Sequence, residues 1–564
     1  MRRTGNTLQA ILALVMVALL AVQCSPAQPA PTAAQAAATE PATTAASGEA
    51  TAAPEATQAA ATTPATSEAD RASVFVYENP SQLPDLDPAI SYSNDLIVMA
   101  NAYETLTVYN APGSKETLSP GLATSWEHNA DGTEWTFHLR DGVTFSDGTP
   151  FNADAVKFSV ENTKKLGVGA AYIWDAVKDI QVVDPLTVKF ILSYSAPLDL
   201  IASSCYAAWM YSPKAYQDNG QDWFQQGHSA GTGPYVIESY DKGSRLVMTR
   251  NEKYWGGWKD GQFQKVIFEI TQDPVVLQQK IVSGDADFTY SIPPDNVADI
   301  KANNKDIVVY TNPSYQNLLA LLNTQKPPLD NKDVRQALAY SFPYTQFIQG
   351  VMGDRATQAH GPVPANMWGH SDDLMQYQQD LNKAKELLTK AGYPNGGFKL
   401  QMTFSSGDMD EQQLGEVWKA ELAKLGIDLE VQGMNWDAQW ELGKSDPKKA
   451  QDIFLMYWWP DYMTPYTFLK SMFHSEDTPL FNLGYYKNPN YDKLIDQANE
   501  ISGTDKDKAA SMFVDAQKIL LDDCPALFFY DVSDTHLVRS DIKGYVDNPA
   551  YPHAVFVYQL TRQK

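Results

Sequence analysis

The chain has 564 residues, and its 68 acidic and 43 basic side chains give a formal net charge of −25 at pH 7. So acidic a surface suits a soluble exported protein and argues against nucleic acid as a partner, because the phosphate backbone would repel it. The length exceeds what one hydrophobic core organises, so two or three lobes are expected, and three cysteines are too few for a disulfide scaffold.

The N-terminus has the features of a secretory signal over residues 1–23. Arg2 and Arg3 give the positive start, and residues 11–22 form an apolar run too short to span a bilayer. Cys24 follows directly, which resembles the lipobox of bacterial lipoproteins, although Gln23 stands where a small residue is usual. We expect Cys24 to be lipidated after cleavage. The alternative is an ordinary cleaved signal followed by an incidental cysteine.

Residues 24–71 are dominated by Ala, Thr, Pro, Ser, Gln and Glu. Because the segment lacks large apolar side chains, nothing offsets the entropy lost on ordering it. We therefore expect a disordered tether between the lipidated cysteine and the folded part. From residue 72 the composition is globular, and no second hydrophobic run reaches transmembrane length.

Strands and helices alternate along the first half of the folded part. Asn152 is placed to cap a helix over 153–163. Asp184-Pro185 and Asp241-Lys242-Gly243 are predicted to be the turns of two hairpins. Further strands are predicted over 73–77 and 134–140, and a helix over 95–106.

In the second half, helices end at glycines and lead into strands. Apolar side chains recur at helical spacing before Gly392 and again before Gly426, and residues 427–431 are predicted to form a strand. This order favours an α/β sheet covered by helices. Cys205 and Cys524 are expected to be buried free thiols, with a disulfide between them as the alternative.

One long segment carries a family resemblance. Residues 118–161 read LSPGLATSWEHNADGTEWTFHLRDGVTFSDGTPFNADAVKFSVE. This closely resembles the signature of the extracellular solute-binding proteins of family 5, which serve ABC importers of the peptide, oligopeptide, dipeptide and nickel type. Five ordered matches are more specific than one short motif. The other four matching segments are residues 86–106, 231–257, 326–342 and 485–498.

The resemblance implies an α/β, three-lobed, periplasmic-binding-protein-like fold (type II, cluster C) that closes by a hinge. Its first lobe is discontinuous, because the chain leaves it and returns. Two strands crossing between lobes I and III would form the hinge, and the ligand would bind in the cleft beside them. On this chain, lobe I would take residues 72–111, 229–312 and 535–564, lobe II 112–228 and lobe III 313–534.

The resemblance also implies which residues bind the ligand. The resemblance predicts a strand that ends in Asp461. This residue matches the aspartate that pairs with the α-ammonium group of a peptide, although it could instead cap the following turn. Several aromatic residues near it could wall the pocket or pack a core. These aromatic candidates are Trp459, Trp458, Tyr462 and Trp436, of which Trp436 follows a predicted turn at Gly433-Met434-Asn435. Ser91, Tyr92 and Ser93 lie in the opening segment whose backbone lines the cleft in this family, with a solvated loop as the alternative.

Two positions depart from the pattern of some peptide binders. Leu455 stands where those proteins carry an arginine that can seat a ligand carboxylate, and Tyr457 replaces a small residue. A short peptide held at both ends is therefore less favoured. The aromatic surplus suits longer peptides, or sugars whose ring faces stack on Trp and Tyr.

These observations predict a transport receptor that catalyses nothing. We expect a monomer that delivers a peptide to ABC permease subunits while its lipid anchor holds it outside the cytoplasmic membrane, in the periplasm or at the cell surface. An oligosaccharide ligand is the first alternative, and a surface hydrolase or adhesin is the second. No catalytic motif or metal-ligand spacing is present, so no cofactor and no metal site are expected.

Overall fold

The structure is a computed structural model and describes residues 71–92 and 94–563. The predicted signal, Cys24, the predicted tether up to residue 70, and Ser93 lie outside the described residues. Among the described helices, none is both long and apolar enough to cross a membrane.

Nineteen strands are present among the described residues. They are β1 (Val74–Asn79), β2 (Thr107–Tyr109), β3 (Leu118–Pro120), β4 (Ala123–His128), β5 (Glu134–Leu139), β6 (Val177–Asp184), β7 (Thr187–Leu192), β8 (Tyr235–Asp241), β9 (Arg245–Arg250), β10 (Lys265–Ile270), β11 (Phe288–Thr289), β12 (Ile307–Leu322), β13 (Ala356–Gln358), β14 (Lys399–Ser405), β15 (Asp428–Met434), β16 (Ile453–Trp458), β17 (Ala526–Arg539), β18 (Ile542–Lys543) and β19 (Thr561–Arg562).

The helices lie between these strands. They are α1 (Leu96–Ala102), α2 (Ala153–Leu166), α3 (Leu198–Ile201), α4 (Pro213–Asn219), α5 (Gln221–Gln225), α6 (Pro274–Ser283), α7 (Pro294–Asn303), α8 (Lys332–Ser341), α9 (Tyr344–Phe347), α10 (Leu381–Lys390), α11 (Met409–Ala423), α12 (Trp436–Gly443), α13 (Pro465–Phe473), α14 (Pro489–Ser502) and α15 (Lys506–Asp523). Short 3₁₀ turns cover Ala171–Trp174, Gly353–Arg355 and Val557–Gln559, and a π turn covers Ile348–Met352.

One large mixed sheet organises the body. Its strand order is β15-β14-β16-β12-β17-β11-β1-β10-β9-β8, and β13 pairs with β17 beside this path. The two long strands β12 and β17 are antiparallel and join the two halves of the sheet. Their pairing is irregular between Pro313 and Asn317, where the strands pass from one half to the other. The mixed sheet with helices confirms the predicted α/β class.

Strand β12 separates two hydrophobic cores after this irregular point. Leu319 and Leu321 belong to the larger core, whereas Leu318, Ala320 and Leu322 belong to the second. Successive side chains of a strand point to opposite faces, so both faces of β12 are buried. A separate four-stranded sheet, in the order β4-β5-β7-β6, contains the two strands β4 and β5 from the segment 118–161 that matched the family signature.

Local signals place many element ends correctly. The Asn152 side chain accepts a hydrogen bond from the Ala155 backbone N–H at 3.0 Å and caps α2, which runs to Leu166. Both predicted hairpins form, as β6–β7 and β8–β9. Gly392 and Gly426 have φ of +92° and +74°, which explains why glycine follows α10 and α11. Cys205 and Cys524 are buried and free, as expected.

Three expectations need correction. The helix predicted over 95–106 ends at Ala102, and an isolated strand bridge at Glu104 follows. Gly433 and Met434 are not a turn, because β15 continues through Met434 and Asn435 caps α12. The strand expected to end in Asp461 ends earlier, at Trp458.

A buried ion cluster ties distant parts of the chain together. Asp287 is fully buried, and its carboxylate accepts hydrogen bonds from Arg71 at 2.7 and 2.8 Å and from Arg562 at 2.7 Å. The Val76 backbone N–H donates to the same carboxylate at 2.8 Å. Arg71 was assigned to the tether, but it contacts the folded part. The Gly-Asp-Ala-Asp segment at residues 284–287 thus has a structural role.

Candidate functional site

Asp461 lies in the short connection between β16 and α13. Strand β16 is central in the sheet, between β14 and β12, and Pro460 follows close after its end. Thr464 caps α13 by accepting a hydrogen bond from the Tyr466 N–H, so that helix does not need Asp461 as its cap. Only 2% of Asp461 is exposed. The Asp461 carboxylate is therefore buried just beyond the end of β16.

The Asp461 carboxylate is only partly satisfied. Its Oδ1 accepts a hydrogen bond from the Tyr92 hydroxyl at 2.9 Å, and the Tyr172 hydroxyl lies 3.3 Å from that of Tyr92. Its Oδ2 is buried and has no hydrogen-bond partner among the described residues. Burial raises the pKa of Asp461 to about 6, although the nearby Tyr172 hydroxyl and the hydrogen bond from Tyr92 oppose the rise. A positively charged ligand group bound to Oδ2 would offset the free-energy cost of burying the ionised carboxylate.

Trp459 stands beside this carboxylate. Its ring is half-buried, and its Nε1 donates to the Tyr206 hydroxyl at 3.0 Å. The Ser204 hydroxyl donates to the Asp461 carbonyl at 2.6 Å, so one loop supports both residues. Trp458 packs elsewhere, with its ring 5.0 Å from that of Phe481.

Two connected spaces lie beside these residues. Trp459 and Tyr206 line a cavity of about 80 Å³, and a larger cleft of about 550 Å³ adjoins it. Asp461 itself lines neither space, because Tyr92 covers its Oδ1. A ligand could reach the carboxylate only after these side chains move apart. The residues that line both spaces are Asn94, Tyr290, Gln316, Asp534 and His553.

The larger cleft holds one arginine, and that arginine is already paired. Arg355 donates to Asp410 from Nη1 at 2.6 Å and from Nη2 at 3.2 Å. Leu455, at the position where some peptide binders carry an arginine, is fully buried in the second core. A ligand carboxylate would thus find no unpaired arginine or lysine among the described residues that line the two spaces.

The remaining candidates are dispersed. Tyr462 is buried and, with Tyr172, lines a separate small cavity of about 30 Å³. Trp436 is 42% exposed, lines none of these spaces, and stacks near Trp440 at 5.4 Å. Ser91 is fully buried, and its hydroxyl lacks a partner among the described residues. The structure thus places Tyr92, Trp459 and Asp461 together and leaves Trp436 apart.

Three contributors escaped the sequence reasoning. Tyr172, Ser204 and Tyr206 reach Asp461 and Trp459 from more than 250 residues earlier in the chain. No local motif marks them, because only the packing of one part of the chain against another brings them to the site. The aromatic surplus was the one sequence feature that pointed to such residues, and it does not identify individual positions.

Comparisons with known proteins agree on one family. The sequence profile described as "Bacterial extracellular solute-binding proteins, family 5 Middle" matches residues 117–479. The chain is 31% identical over 472 residues to the probable D,D-dipeptide-binding periplasmic protein DdpA of Escherichia coli K12, covering 82% of this chain and 89% of that protein. It is 28% identical to the dipeptide-binding protein of the same organism, covering 78% and 86%.

A solved structure shares the fold. The periplasmic binding protein DppA from Helicobacter pylori, in complex with the peptide STSA, matches with a TM-score of 0.76 and 24% identity. The match covers 87% of this chain and 98% of that one. At this identity the similarity describes the fold alone.

Proposed function

The chain belongs to the bacterial extracellular solute-binding proteins of family 5, as its five matching segments predicted, and from this premise we propose that it captures peptides by their α-ammonium group at Asp461. Members of this family are the exported substrate-binding components of peptide-type ABC importers, and they bind without catalysing a reaction. The observation that carries the proposal is the buried Oδ2 of Asp461, which has no hydrogen-bond partner within residues 71–92 and 94–563.

The chemistry of the pocket supports an ammonium ligand. A buried carboxylate without a charged partner is unfavourable, and an ammonium group supplies both the charge and three hydrogen-bond donors. The half-buried Trp459 ring offers an apolar wall to the first side chain of the ligand. The adjoining cleft of about 550 Å³ gives the rest of a peptide a path away from Asp461.

The identity of the bound solute tests the proposal directly. We expect the purified protein, denatured to release its ligand, to give peptide masses by mass spectrometry. Oligosaccharide masses would instead support the alternative in which sugar rings stack on Trp459. Finding no bound solute, together with no heat of binding for a peptide library, would contradict capture of peptides and favour the adhesin alternative.

Closure of the cleft is the second part of the proposal. Two hydrogen bonds join segments that the resemblance assigns to different lobes, from Tyr92 to Asp461 and from Trp459 to Tyr206. They must open to admit a ligand, and the irregular pairing of β12 with β17 near Pro313 offers a place for the hinge.

We predict that small-angle scattering shows a larger radius of gyration for the ligand-free protein than this closed structure gives. A saturating peptide should shift the population toward the closed value. A ligand-free scattering curve that already fits the closed structure, and does not change with peptide, would contradict hinge closure.

Attachment to the membrane is the third part. Cys24 follows the apolar run of the predicted signal, and the residues after it are suited to a tether. We expect Cys24→Ala to move the protein from the membrane fraction to the soluble fraction, where a cleaved but unlipidated chain belongs. Cys205→Ala is the matched control, because Cys205 is buried and should not affect anchoring. Retention of Cys24→Ala in the membrane would rule out lipidation at this site.

A further inference from the structure

A cluster of three metal-ligand side chains lies on the wall of the cleft. We infer that Asp534, His536 and His553 form a binding site for a divalent first-row transition-metal ion such as Zn²⁺, Ni²⁺ or Co²⁺. One ligand atom from each residue lies within 4.8 Å of the others, and His536 Nε2 is 3.1 Å from His553 Nδ1. The inference goes beyond peptide capture and does not depend on it.

The distances suit a metal ion. Two imidazole nitrogens bound at about 2.0–2.1 Å, and about 90–110° apart, lie about 3 Å from each other. The 3.1 Å between the two histidine rings meets this requirement without movement. Two imidazoles and one carboxylate are a ligand set for zinc, nickel, cobalt or iron rather than for magnesium or calcium. The same separation fits a hydrogen bond between the two rings. Metal titration distinguishes a metal site from such a hydrogen bond.

The groups around His536 contact its Nδ1 and leave Nε2 to donate an electron pair to a metal ion. On the other side of the ring, Nδ1 lies 3.2 Å from Asp547 Oδ1 and 3.0 Å from the Tyr545 hydroxyl. Asn312 donates to the second oxygen of Asp547 at 2.8 Å and fixes that carboxylate. A carboxylate behind a histidine holds the proton on Nδ1 and leaves Nε2 as an electron-pair donor.

His553 is held in an unusual backbone conformation. Its φ is +58°, in the left-handed region that non-glycine residues seldom adopt. The Tyr77 hydroxyl donates to its carbonyl at 2.7 Å, and the Tyr290 ring stacks on its imidazole at 3.9 Å. Strained conformations that the surroundings enforce are concentrated at functional sites. Here the strain presents Nδ1 of His553 to His536.

The site is open toward the ligand space. Asp534 and His553 line both the small cavity and the larger cleft, whereas His536 lies deeper and is 2% exposed. The described residues make no hydrogen bond to the Asp534 carboxylate, so it is available as a third ligand. Three protein ligands leave at least one coordination position, which would face the cleft. The sequence analysis did not predict this site. His536 lies in β17 and His553 in a later loop, and no local motif joins them.

Metal titration of the full chain tests the inference without any peptide. We expect calorimetry with Zn²⁺ alone to give one binding site, and Co²⁺ to give visible d–d absorption bands. Asp534→Asn and His553→Gln should each weaken binding at least about 100-fold, since each removes one ligand. His474→Gln is the matched control, because His474 pairs with Asp496 at 3.3 Å, away from the three ligands, and it should bind like the wild type.

Failure of the inference would be visible in two ways. No stoichiometric binding of Zn²⁺, Ni²⁺ or Co²⁺ by the wild type would mean that the two rings share only a hydrogen bond. Unchanged affinity in either Asp534→Asn or His553→Gln, with a melting temperature like that of the wild type, would place any bound metal elsewhere. Since neither result involves peptide binding, both leave the proposed transport function to its own tests.

Discussion

Asp461→Asn is expected to weaken the binding of a peptide with a free N-terminus by roughly two to three orders of magnitude. Removing one partner of a buried charge pair typically costs about 3–5 kcal/mol, because the other charge is left uncompensated. The Asp461 carboxylate is 2% exposed, so water does little to replace it. Calorimetry with matched peptides measures the loss, and N-acetylated peptides should bind the wild type poorly for the same reason.

The same substitution should stabilise the closed conformation in the absence of ligand. Burial raises the pKa of Asp461 from 3.8 to about 6, so the folded state holds its proton more tightly than the unfolded chain does. Ionisation of Asp461 therefore costs the folded state about 3 kcal/mol above pH 6, and nothing below about pH 4. Asp461→Asn should therefore shift the ligand-free protein toward the closed conformation at pH 7, seen as a smaller radius of gyration, and lose this effect as the pH falls from 6 to 4.

Trp459→Ala separates the two ligand classes. If a sugar binds, no ammonium group is present, and the loss of the Trp459 ring should weaken binding more than Asp461→Asn does. If a peptide binds, the order of the two variants reverses. Tight binding of an N-acetylated peptide by the wild type, with Asp461→Asn unaffected, would remove the ammonium role even for a peptide receptor.

Asp287→Asn should lower the free energy of unfolding by about 3 kcal/mol. The substitution removes the negative charge that two arginines share in a fully buried position, and breaking such a cluster from one side costs about 3–5 kcal/mol. The lower end applies, because Arg71 and Arg562 are partly exposed and keep other hydrogen-bond partners.

Denaturant unfolding measures this loss, and Asp285→Asn is the matched control. Asp285 is exposed, and its carboxylate accepts a hydrogen bond from Ser283, so its loss should change stability by less than about 0.5 kcal/mol. Equal stability of Asp287→Asn and the wild type would mean that the cluster does not support the fold.

The features that the sequence predicted correctly, such as helix caps and helix ends, depend on residues close together in the chain. Asn152 caps α2, and Gly426 follows α11, because each signal acts within a few residues. The course of β12 beside β17 was predicted only through the family resemblance, since pairing over 200 residues has no local signal. Asn435 showed the limit of turn signals, because it begins a helix instead of completing a turn.

The residues of the candidate site also fall into two groups, those that the sequence predicted and those that it did not. Asp461, Tyr92 and Trp459 were predicted through the resemblance, and they lie close together in the structure. Tyr172 and Tyr206 were missed, because packing between remote segments brings them there. Trp436 was placed in the cleft by analogy, yet it is 42% exposed at the first turn of α12 and lines neither the small cavity nor the larger cleft.

The Asp287 cluster has a consequence for how the molecule is made. Arg71 stands near the start of the described chain and Arg562 near its end, and both must be present to neutralise one buried carboxylate. In a chain that crosses a membrane with its N-terminus first, Arg71 and Asp287 emerge before Arg562. The Asp287 cluster can therefore form only after Arg562 has emerged, so the half of the sheet around β1 gains that stabilisation late in folding.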